Sequence, residues 1–475
     1  MSFSNVQAVV LAAGKSARFN TKKTKLCHII CGQELIAYPA KLLTKMHIPT
    51  ICVVGHQKED IIATLACHDI PNITYVEQKD AKGTGHALLC SLPSTSAEHI
   101  LVMNGDVPLI TQELLETLLE KHMHEEAAAS FIISHSFSPS SSGYGRVVKH
   151  GESVEIVETK YNPDAFTESN FINAGIYVFK KSFLDQTLTE LAPDPTSGEI
   201  FITDLIGAAN AQGSRVCTIT APFDTIRGVN NLKDLWAVEH IKRSELITHW
   251  MNHGVRFIAA QNVYLDLNVT IENDTVIWPG CILTGNTHIG HGCSIGAYSC
   301  ITDSTIHDGA LIQPHSVIIN SIVHQSAEVG PFAKLRSSSV GERAIIGNFV
   351  EMNRSSAGAR TKAKHLTYMG DTCIGMQANI GAGTITCNFD GISKHKTVIK
   401  DRAMIGSNNA LIAPITIGKN AVTGAGSVLT EDVPDNAFSV SRSPQSTRDN
   451  YSETLRHNTL AKTYPEKSEP QEQAA

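Results

Sequence analysis

Aromatic side chains are scarce in this sequence: only 6% of its 475 residues are Phe, Trp or Tyr, and three of them are Trp. Glycine, by contrast, occurs 34 times. With 42% hydrophobic and 18% charged residues, the chain still has enough apolar material to bury real cores, which excludes a disordered protein. This mixture favours a tightly coiled backbone over large aromatic cores, and the length predicts two or three domains.

Three further absences narrow the class of protein. No stretch approaches the ~18 consecutive apolar residues of a membrane span. The net charge of −7 offers no basic excess for general binding to nucleic acid or to a membrane surface. Residues 1–14 contain an apolar run with no basic region ahead of it, so we expect no secretory signal. These absences predict a cytoplasmic protein with neither nucleic-acid nor membrane partners.

The cysteines give no metal or disulfide signature. There are eleven, an odd number, scattered without a Cys-x-x-Cys pair. The stretch from Cys27 to Cys31 includes His28, but a second ligand pair at a recognisable spacing is missing. We therefore interpret the cysteines as structural or incidental.

Two patterns meet near residue 250. Before it, apolar runs at 6–11, 51–54, 73–76 and 100–103 predict buried strands, and helices are predicted at 34–46, 58–65 and 112–121. This alternation predicts a Rossmann-like α/β domain with a mostly parallel sheet. Ligands bind such sheets at the carboxyl ends of the strands, here the loops after Leu11 and Met103. A charged segment at 232–250 predicts a helix that links two domains.

After residue 250 the hydrophobic period is six. Nine aliphatic–glycine pairs then recur, beginning at Ile289-Gly290 and ending at Ile417-Gly418. A six-residue period fits neither an α-helix nor a half-buried strand and favours a solenoid of short strands and corners. We expect loops that leave the solenoid at 355–369 and 388–396, where the period falters, and a polar, flexible tail after Arg442. The aliphatic residues in strict phase are Ile271, Ile277, Leu283, Ile289, Ile295 and Ile301.

This arrangement resembles the left-handed parallel β-helix of hexapeptide-repeat acyltransferases. The resemblance implies a triangular prism with three hexads per coil, and homotrimers with active sites between neighbouring prisms. The predicted organisation is a nucleotidyltransferase domain at 1–230, a linker helix at 231–252, a β-helix at 253–445 and a flexible tail at 446–475.

The loop after the first strand is typical of a phosphate-binding loop. Its small residues allow close approach of the backbone to an anion, and unpaired N–H groups there can form a nest. A basic surface loop is the alternative, and the GxxxxGK[ST] pattern of a P-loop is absent. Between residues 15 and 25 the chain carries five cations and no acid: Lys15, Arg18, Lys22, Lys23 and Lys25.

This loop resembles the signature of sugar-nucleotide pyrophosphorylases, except that Ser16 stands where that family usually has a second glycine. Together with the hexads, the chain resembles the bacterial bifunctional N-acetylglucosamine-1-phosphate uridyltransferases/glucosamine-1-phosphate acetyltransferases. Their substrates are UTP, N-acetylglucosamine 1-phosphate, glucosamine 1-phosphate and the cosubstrate acetyl-CoA, with Mg²⁺ as cofactor. The other matching pieces, in order, are Gln78, Gly83-Thr84-Gly85-His86-Ala87, Asn104-Gly105-Asp106, Gly143-Tyr144-Gly145-Arg146, Glu158, Asn173 and Gly228-Val229-Asn230-Asn231.

By this resemblance, Asp106 and Asn230 provide oxygen ligands for Mg²⁺, and Arg18 and Lys25 hold the phosphates. An aspartate that forms a turn after Gly105 is the alternative for Asp106. The resemblance places uracil against Gln78, Ala13, Gly83 and Thr84, and the sugar against Gly145, Glu158 and Asn173. The remaining residues of this predicted site are Leu11, Ala12, Gly14, Asn104 and Gly105.

The second predicted site centres on His365. Any one of 21 histidines is more often a surface or packed residue. His365, however, lies where the six-residue period falters, and acyl transfer to an amine requires a base. By resemblance, Glu351 orients its ring, and Asn388 and Ser407 provide donors to the oxyanion. By resemblance, Arg336, Tyr368 and Asn379 contact the sugar phosphate, and Ala382, Ser407, Ala425 and Arg442 line the coenzyme A side. Asn353, Asn388 and Phe389 complete the predicted substrate-binding residues of this site.

Three residues depart from the family pattern. Asn353 replaces a lysine that binds the sugar phosphate, Lys364 replaces a glycine beside the histidine, and Phe389 replaces a tyrosine. Since Arg354 is expected to face the opposite side of its strand from Asn353, we expect Lys364 to take over the phosphate contact.

Two other interpretations are open. The chain could be a nucleotidyltransferase for a different sugar, with a β-helix that only trimerises or regulates it. It could also be a noncatalytic regulatory subunit that keeps both folds. His365 with Asn388 disfavours the first alternative. The presence of Arg18, Lys25, Asp106 and Asn230 disfavours the second.

Overall fold

The computed structural model describes residues 3–135, 144–151, 153–157, 169–195 and 197–463. It divides into two compact units, Met1–Arg336 and Ser337–Ala475. The first unit contains an α/β sheet and several coils of parallel strands, and the second contains further coils. The domain boundaries inferred from the sequence stay predictions. No helix in the described ranges is long and apolar enough to cross a membrane.

The N-terminal sheet is mostly parallel, as predicted. Its main path runs β11-β7-β10-β6-β1-β4-β5, in which only β10 is antiparallel to its neighbours. The strands are β1 Val6–Ala12, β2 Ile29–Ile30, β3 Gln33–Glu34, β4 Thr50–Val54, β5 Ile73–Glu77, β6 His99–Asn104, β7 Ala129–His135, β8 Arg146–His150, β9 Ser153–Val157, β10 Phe171–Lys180 and β11 Val216–Thr220.

The helices of the described residues are α1 Ala37–Lys45, α2 Lys58–Ala66, α3 Thr84–Ser91, α4 Gln112–His124, α5 Lys181–Thr187, α6 Asp204–Ala211, α7 Leu232–Asn252 and α8 Tyr451–Thr463. The helices before residue 253 follow the predicted alternation, whereas α8 lies in the stretch that the sequence predicted as a polar, flexible tail. The predicted strands and helices are confirmed, with bounds shifted by three residues at most. One shift of three residues is at 34–36, because Gln33–Glu34 pairs with Ile29–Ile30 as a small hairpin before α1 begins. The other is at the end of α4, which continues to His124.

The central strands are buried on both faces, which explains their continuous apolar runs. Along β1, Ala8 and Val10 pack into one core cluster, and Val9 packs into the cluster on the opposite face. Because β1 and β6 are parallel and adjacent, the loops after Ala12 and Asn104 leave the sheet at the same edge. This edge is where the sequence predicts a ligand site.

After α7 the chain coils into three parallel sheets, consistent with the predicted left-handed β-helix. In the first unit the strands, sheet by sheet, are Arg256–Phe257, Val276–Ile277, Ser294–Ile295, Leu311–Ile312, Glu328–Val329; Tyr264–Leu265, Ile282–Thr284, Cys300–Thr302, Val317–Ile319, Lys334–Arg336; and Thr270–Ile271, His288–Ile289, Thr305–Ile306, Ile322–Val323. In the second they are Ile345–Asn348, Lys362–His365, Asn379–Ile380, Met404–Ile405, Val422–Thr423, Phe438–Ser439; Glu351–Asn353, Tyr368–Gly370, Ile385–Cys387, Ala410–Ile412, Val428–Leu429; and Ser339–Val340, Ser356–Ala357, Thr372–Ile374, Thr397–Ile399, Ile415–Ile417.

The coil length explains both the six-residue period and its slips. The six aliphatic residues predicted to point inward, from Ile271 to Ile301, are all buried. Later coils shorten, so that Asn348 aligns with His365, 17 residues onward. The prediction that 355–369 leaves the coils is wrong, because three strands of regular register lie there. The prediction for 388–396 is confirmed, since this stretch contains no strand and Thr372 pairs directly with Thr397.

The aliphatic–glycine pairs arise from the spacing of successive coils. A Cβ atom on Gly347 would lie 2.0 Å from the carbonyl oxygen of Lys364. On Gly381 it would lie 2.5 Å from backbone atoms of Gly406 and Ser407. The backbone of the next coil therefore leaves no room for a side chain, while the preceding aliphatic residue fills the interior.

Candidate active sites

The edge of the N-terminal sheet bears a cavity of about 500 Å³. It lies between the loop after β1, the start of α3, the end of β6 and the residue Asn230 just ahead of α7. Gly105 lies beneath it, where its N–H donates to the carbonyl oxygen of Leu11 at 3.0 Å and a Cβ would lie 2.5 Å from Ile36 Cδ1. The predicted residues that line this cavity are Leu11, Ala12, Ala13, Gly14, Lys25, Gln78, Gly83, Thr84, Asn104, Asp106 and Asn230.

A second cavity of about 300 Å³ adjoins the first. It is lined by Arg18, Gly145 and Asn173, and it shares Asp106 and Asn230 with the first cavity. The structure thus brings together segments from positions 11 to 230 of the chain. Two sequence-predicted pieces, Gly143 and Glu158, lie outside the described residues.

Cations meet oxygen-bearing side chains where the two cavities join. The Lys25 ammonium forms an ion pair with the Asp106 carboxylate, and Arg18 Nη2 donates to Asn230 Oδ1 at 3.3 Å. The two oxygen-bearing segments are tied together, because the N–H of Val229 donates to the carbonyl oxygen of Asp106 at 3.0 Å. This part of the site is suited to hold phosphates and a cation that accompanies them.

The start of α7 positions Asn230. The Asn231 side chain caps this helix by accepting from the N–H of Asp234 at 2.9 Å. Asp234 in turn accepts from the N–H of Asn230 at 3.1 Å. The reciprocal contacts fix the backbone of Asn230 just ahead of the helix, so its amide can face the cavity.

The donor set fits Mg²⁺ bound together with a nucleotide. Asp106 and Asn230 offer a carboxylate and an amide oxygen, both hard ligands. Mg²⁺ commonly binds one or two protein oxygens and keeps waters and phosphates as its other ligands. A closed site made of protein alone is not found here: no group of three or more His, Cys, Asp or Glu in the described ranges could hold a metal ion.

At the other end of the first cavity, Gln78 is held firmly. Its Nε2 donates to the carbonyl oxygen of Gly83 at 3.0 Å and lies 2.9 Å from His86 Nδ1. Gly83 has φ 94°, and a Cβ there would lie 2.5 Å from the carbonyl oxygen of Ile200, so glycine is required at this position. The amide of Gln78 therefore presents its oxygen away from the loop.

The sequence analysis missed the segment that closes this cavity. Glu199 and Phe201 line it, and Ile200 is bound on both sides, with its N–H donating to Lys82 and its carbonyl accepting from Gly85, each at 2.8 Å. No composition or spacing marks these residues in the sequence. They reach the site only because the loop before α6 folds back onto the start of α3.

Two tyrosines also line the second cavity: Tyr144 belongs to one of the matching sequence pieces but had no predicted role, and Tyr177 was not predicted. The N–H of Gly228 donates to the Tyr144 hydroxyl at 2.7 Å, and burial raises the pKa of Tyr144 to about 12, so the hydroxyl stays neutral. The Tyr177 hydroxyl lies 2.5 Å from Nδ2 of Asn173. These contacts fix the segment before Asn230 and the amide of Asn173.

The backbone conformation of Ser16 explains why the family that this loop resembles usually has glycine at this position. Its φ of 53° lies in the left-handed region. Its hydroxyl accepts from the N–H of Lys25 at 3.2 Å. The side chain that departs from the family pattern therefore links the predicted phosphate-binding loop to the segment that carries Lys25.

In the second unit, His365 belongs to a row of residues along one corner of the coils. Its Nδ1 lies 2.6 Å from Asn348 Oδ1, so the ring is oriented by an amide of the preceding coil. Glu351 begins the strand Glu351–Asn353, in register with Tyr368 of the following coil. Its role in orienting His365 stays a prediction. Asn348 was not predicted; it could have been found by counting one 17-residue coil back from His365.

The same corner carries the predicted coenzyme A residues. Backbone hydrogen bonds connect the successive coils, with the N–H of Gly383 donating to Leu366, that of Asn408 to Ala382 and that of Gly426 to Ser407. Arg442 Nη1 donates to the carbonyl oxygen of Ala425 at 2.9 Å. The residues in this row are His365, Ala382, Ser407, Ala425 and Arg442.

At the other end of the same face, Asn353, Gly370 and Asn388 occupy successive coils. A Cβ on Gly370 would lie 2.7 Å from both Asn388 Nδ2 and the Tyr368 hydroxyl, so the missing side chain lets these two groups approach each other. The expectation that Arg354 faces away from Asn353 is wrong. At φ 51° its backbone turns, and Nη1 donates to Asn353 Oδ1 at 3.0 Å.

Three further predicted residues have these places in the coils. Asn379 begins a strand of the sheet that contains His365, in register with Lys362. Phe389 is exposed and forms an isolated bridge with Lys394. Arg336 ends the last strand of the first unit.

Known proteins resemble the chain over nearly its whole length. A family model described as "Nucleotidyl transferase" matches residues 7–244, and one described as "GMPPB C-terminal domain" matches residues 265–340. The "Bifunctional protein GlmU" of Syntrophotalea carbinolica is 40% identical over 94% of this chain and 96% of its own. Proteins of the same name from Desulfitobacterium hafniense (35% identical) and Exiguobacterium sibiricum (38% identical) each match 94% of this chain, and 98% and 99% of their own.

Proposed function

The chain belongs to the family of bifunctional GlmU proteins, and we propose that it catalyses two consecutive steps toward UDP-N-acetylglucosamine. In the first, it acetylates glucosamine 1-phosphate with acetyl-CoA. In the second, it transfers UMP from UTP to N-acetylglucosamine 1-phosphate and releases pyrophosphate. The match to bifunctional relatives across both parts of the chain, rather than across one domain, carries this proposal.

Uridyl transfer belongs to the cavities of the N-terminal sheet. A phosphate oxygen of the sugar 1-phosphate attacks the α-phosphorus of UTP, and the bond to the pyrophosphate leaving group breaks in line. The protein contributes mainly position and positive charge. Arg18 and Lys25 hold the phosphates, and Gln78 with the backbone at Ala13, Gly83 and Thr84 recognises uracil.

The second cavity accepts the sugar. Gly145 and Asn173 line it, and Glu158 is proposed to join them. Mg²⁺ is proposed to bind Asp106 and Asn230, where it would neutralise phosphate charge. The ion pair between Lys25 and Asp106 supports this location, because it shows that the carboxylate already faces a cation.

Acetyl transfer belongs to the second unit. The amine of glucosamine 1-phosphate attacks the thioester carbonyl, His365 accepts the proton of the amine, and the thiolate of coenzyme A leaves. Asn388 and Ser407 are proposed to donate to the oxyanion. Arg336, Asn353, Tyr368, Asn379 and Phe389 are proposed to contact the sugar phosphate. Ala382, Ala425 and Arg442, with Ser407, are proposed to line the coenzyme A site.

The homotrimeric assembly and the cytoplasmic location also remain proposals. The trimer rests on the resemblance of the coils to hexapeptide-repeat acyltransferases, and the location rests on the composition of the sequence. Sedimentation or light scattering of the purified full-length chain measures the assembly directly.

The test of the proposed function is a product assay on the full-length protein. UTP, glucosamine 1-phosphate, acetyl-CoA and Mg²⁺ together are expected to give UDP-N-acetylglucosamine, pyrophosphate and free coenzyme A. Without UTP the expected product is N-acetylglucosamine 1-phosphate, and without acetyl-CoA no UDP-N-acetylglucosamine forms. Uridyl transfer without any acetyl transfer would instead favour a nucleotidyltransferase with a purely structural β-helix.

A further inference from the structure

Asn353 and Asn388 lie at one corner of the coils of the second unit, and both side chains are more than nine-tenths buried. Each amide has an oxygen that accepts and an NH₂ group that donates, and a half-turn exchanges the two. A substrate anion can be bound only by the NH₂ group. The orientation of each amide therefore decides what it can do in an acetyl-transfer site.

Neighbouring charges determine both orientations. A guanidinium only donates, so the Asn353 atom that lies 3.0 Å from Arg354 Nη1 must be the amide oxygen. An ionised carboxylate only accepts, so Asn388 presents its Nδ2 to Asp371. Hydrogen bonding from Arg354, more than that from Asn388, holds the pKa of Asp371 below its usual value, and Asp371 is therefore ionised at neutral pH.

The two charged residues are themselves fixed. Arg354 Nε and Nη2 donate to the two carboxylate oxygens of Asp371 at 2.7 and 2.8 Å, which is the two-bond geometry of a specific arginine–carboxylate pair. Both residues have φ 51° and lie one coil apart. A residue with a long side chain seldom adopts the left-handed backbone conformation. Arg354, which reaches both Asn353 and Asp371, therefore bears a conformational cost.

We propose that Arg354 and Asp371 are positioning residues of the acetyl-transfer site, which turn the NH₂ group of Asn353 toward the phosphate of glucosamine 1-phosphate. The inference rests on the proposed function and names the group that orients this anion in a chain with no lysine at position 353. The hydrogen bond from Arg354 to Asn353 Oδ1 polarises the amide and makes its N–H groups stronger donors.

The pair also controls charge near the substrate. Arg354 neutralises the Asp371 carboxylate, which would otherwise repel a phosphate dianion. Loss of Arg354 therefore has two consequences: Asn353 is free to rotate, and an uncompensated negative charge remains beside the site. Neither consequence affects the row of residues proposed for acetyl-CoA, so the two Michaelis constants are expected to respond differently.

The test uses steady-state acetyl transfer by the full-length protein. Arg354→Met is expected to raise the KM for glucosamine 1-phosphate about tenfold, the loss of one charge-assisted contact, while the KM for acetyl-CoA stays within about twofold. The matched control is Arg402→Met, because Arg402 also has a positive φ of 56° and donates to an asparagine, Asn420, of the next coil at 2.7 Å. The control is expected to leave both constants unchanged.

Asn353→Asp distinguishes the effect of the orientation of the Asn353 amide from the effect of its side-chain packing. Aspartate retains an acceptor for Arg354 but has no donor for the phosphate, so its KM for glucosamine 1-phosphate is expected to rise at least as much as in Arg354→Met. Lys364→Gly removes the cation that the sequence analysis expects at the phosphate, which lies on a strand of a different sheet from Asn353. A rise in this constant in Lys364→Gly but not in Arg354→Met would assign the phosphate contact to Lys364. Thermal melting of each variant reports any purely structural effect.

Three results would overturn the inference while the proposed function stands: equal kinetics for Arg354→Met and Arg402→Met, a rise in KM for Lys364→Gly alone, or a lower melting temperature with both Michaelis constants unchanged. A wild-type protein that acetylates nothing would overturn the proposed function, and this inference with it. A selective rise in the KM for glucosamine 1-phosphate in both Arg354→Met and Asn353→Asp would support it.

Discussion

The α/β region and the coils assemble their candidate sites in different ways. At the edge of the N-terminal sheet, Lys25 meets Asp106, and Arg18 meets Asn230, across 81 and 212 residues of sequence. In the coils of the second unit, His365 meets Asn348, and Arg354 meets Asp371, each across a single coil of 17 residues. The first site depends on the tertiary fold as a whole, whereas the second depends on a repeated register. Substitutions and changes of pH should therefore affect the two regions differently.

The largest expected effect is a reciprocal loss of activity. Asp106→Ala removes a proposed metal ligand and should reduce uridyl transfer about a thousandfold or more, because metal-ion charge stabilisation supplies several kcal/mol. His365→Ala removes the proposed base and should reduce acetyl transfer about 10²–10⁴-fold. Each variant is expected to keep the other half-reaction, measured with separate substrates. If either folded variant lost both activities equally, the two sites would not be independent.

Acid should affect the N-terminal sheet before the coils. His122 is fully buried, its Nδ1 is 2.8 Å from Ser130 Oγ, and its Nε2 is 3.2 Å from His99. Burial, with His99 and Lys180 adding to it, lowers the pKa of His122 to about 3, and burial also lowers that of His99. The unfolded state binds protons more readily than the folded state. The stability that these two neutral histidines contribute is therefore fully present above about pH 6.5 and is lost as the pH falls toward 3.

The loss is expected to reach about 3–5 kcal/mol at the acid end, as measured by denaturant unfolding between pH 7 and pH 4. His99 and His122 are the only buried histidines in the part of the chain that the structure describes. Uridyl transfer should therefore fail at a higher pH than acetyl transfer after brief acid exposure. His122→Gln should flatten the pH dependence of unfolding; an unchanged slope would show that another group is responsible.

A smaller difference in stability is expected between alanine substitutions at two glycines. Gly347→Ala forces a Cβ to within 2.0 Å of the Lys364 carbonyl oxygen, and such overpacking costs about 1–3 kcal/mol. Gly14→Ala has nothing within 4 Å of the new Cβ and should change stability by no more than about 0.5 kcal/mol. Differential scanning calorimetry of the two variants checks this directly. Equal melting temperatures would contradict the account of the aliphatic–glycine pairs.

The smallest expected effect compares two hydroxyls that accept from a glycine N–H beside each site. Tyr144 accepts from Gly228 in the first region, and Thr386 accepts from Gly370 at 2.8 Å in the second. Tyr144→Phe and Thr386→Val each remove the neutral hydrogen bond to that glycine N–H, a net contribution of about 1 kcal/mol.

We expect Tyr144→Phe to lower uridyl transfer alone and Thr386→Val to lower acetyl transfer alone, each about three- to tenfold, since roughly 1 kcal/mol of misalignment corresponds to this range. Assays of both half-reactions on both variants measure the effect. A loss of both activities in either variant would show that these contacts serve global stability rather than one site.

The sequence was most informative where structure repeats at short range. The six-residue period correctly predicted inward positions from Ile271 to Ile301, because each coil packs against the next one in the same register. It was misleading at 355–369, where unusual residues occupy regular coils. The inward positions there are filled by Ala357, Ala363 and Met369, all buried, so the six-residue period continues with residues less distinctive than Ile or Val.

The alternation of strands and helices, the phosphate-binding loop and the coil repeat were determined by the sequence itself, because local spacing fixes which face of a strand or corner a residue occupies. The tertiary structure alone decided that Glu199 and Phe201 close the first cavity of the N-terminal sheet, since their loop is placed by contacts with residues far away in sequence. It also decided that Arg354 reaches Asn353. Strand alternation predicts the opposite, but a left-handed corner turns the backbone, and Asp371 of the next coil then holds the guanidinium in place.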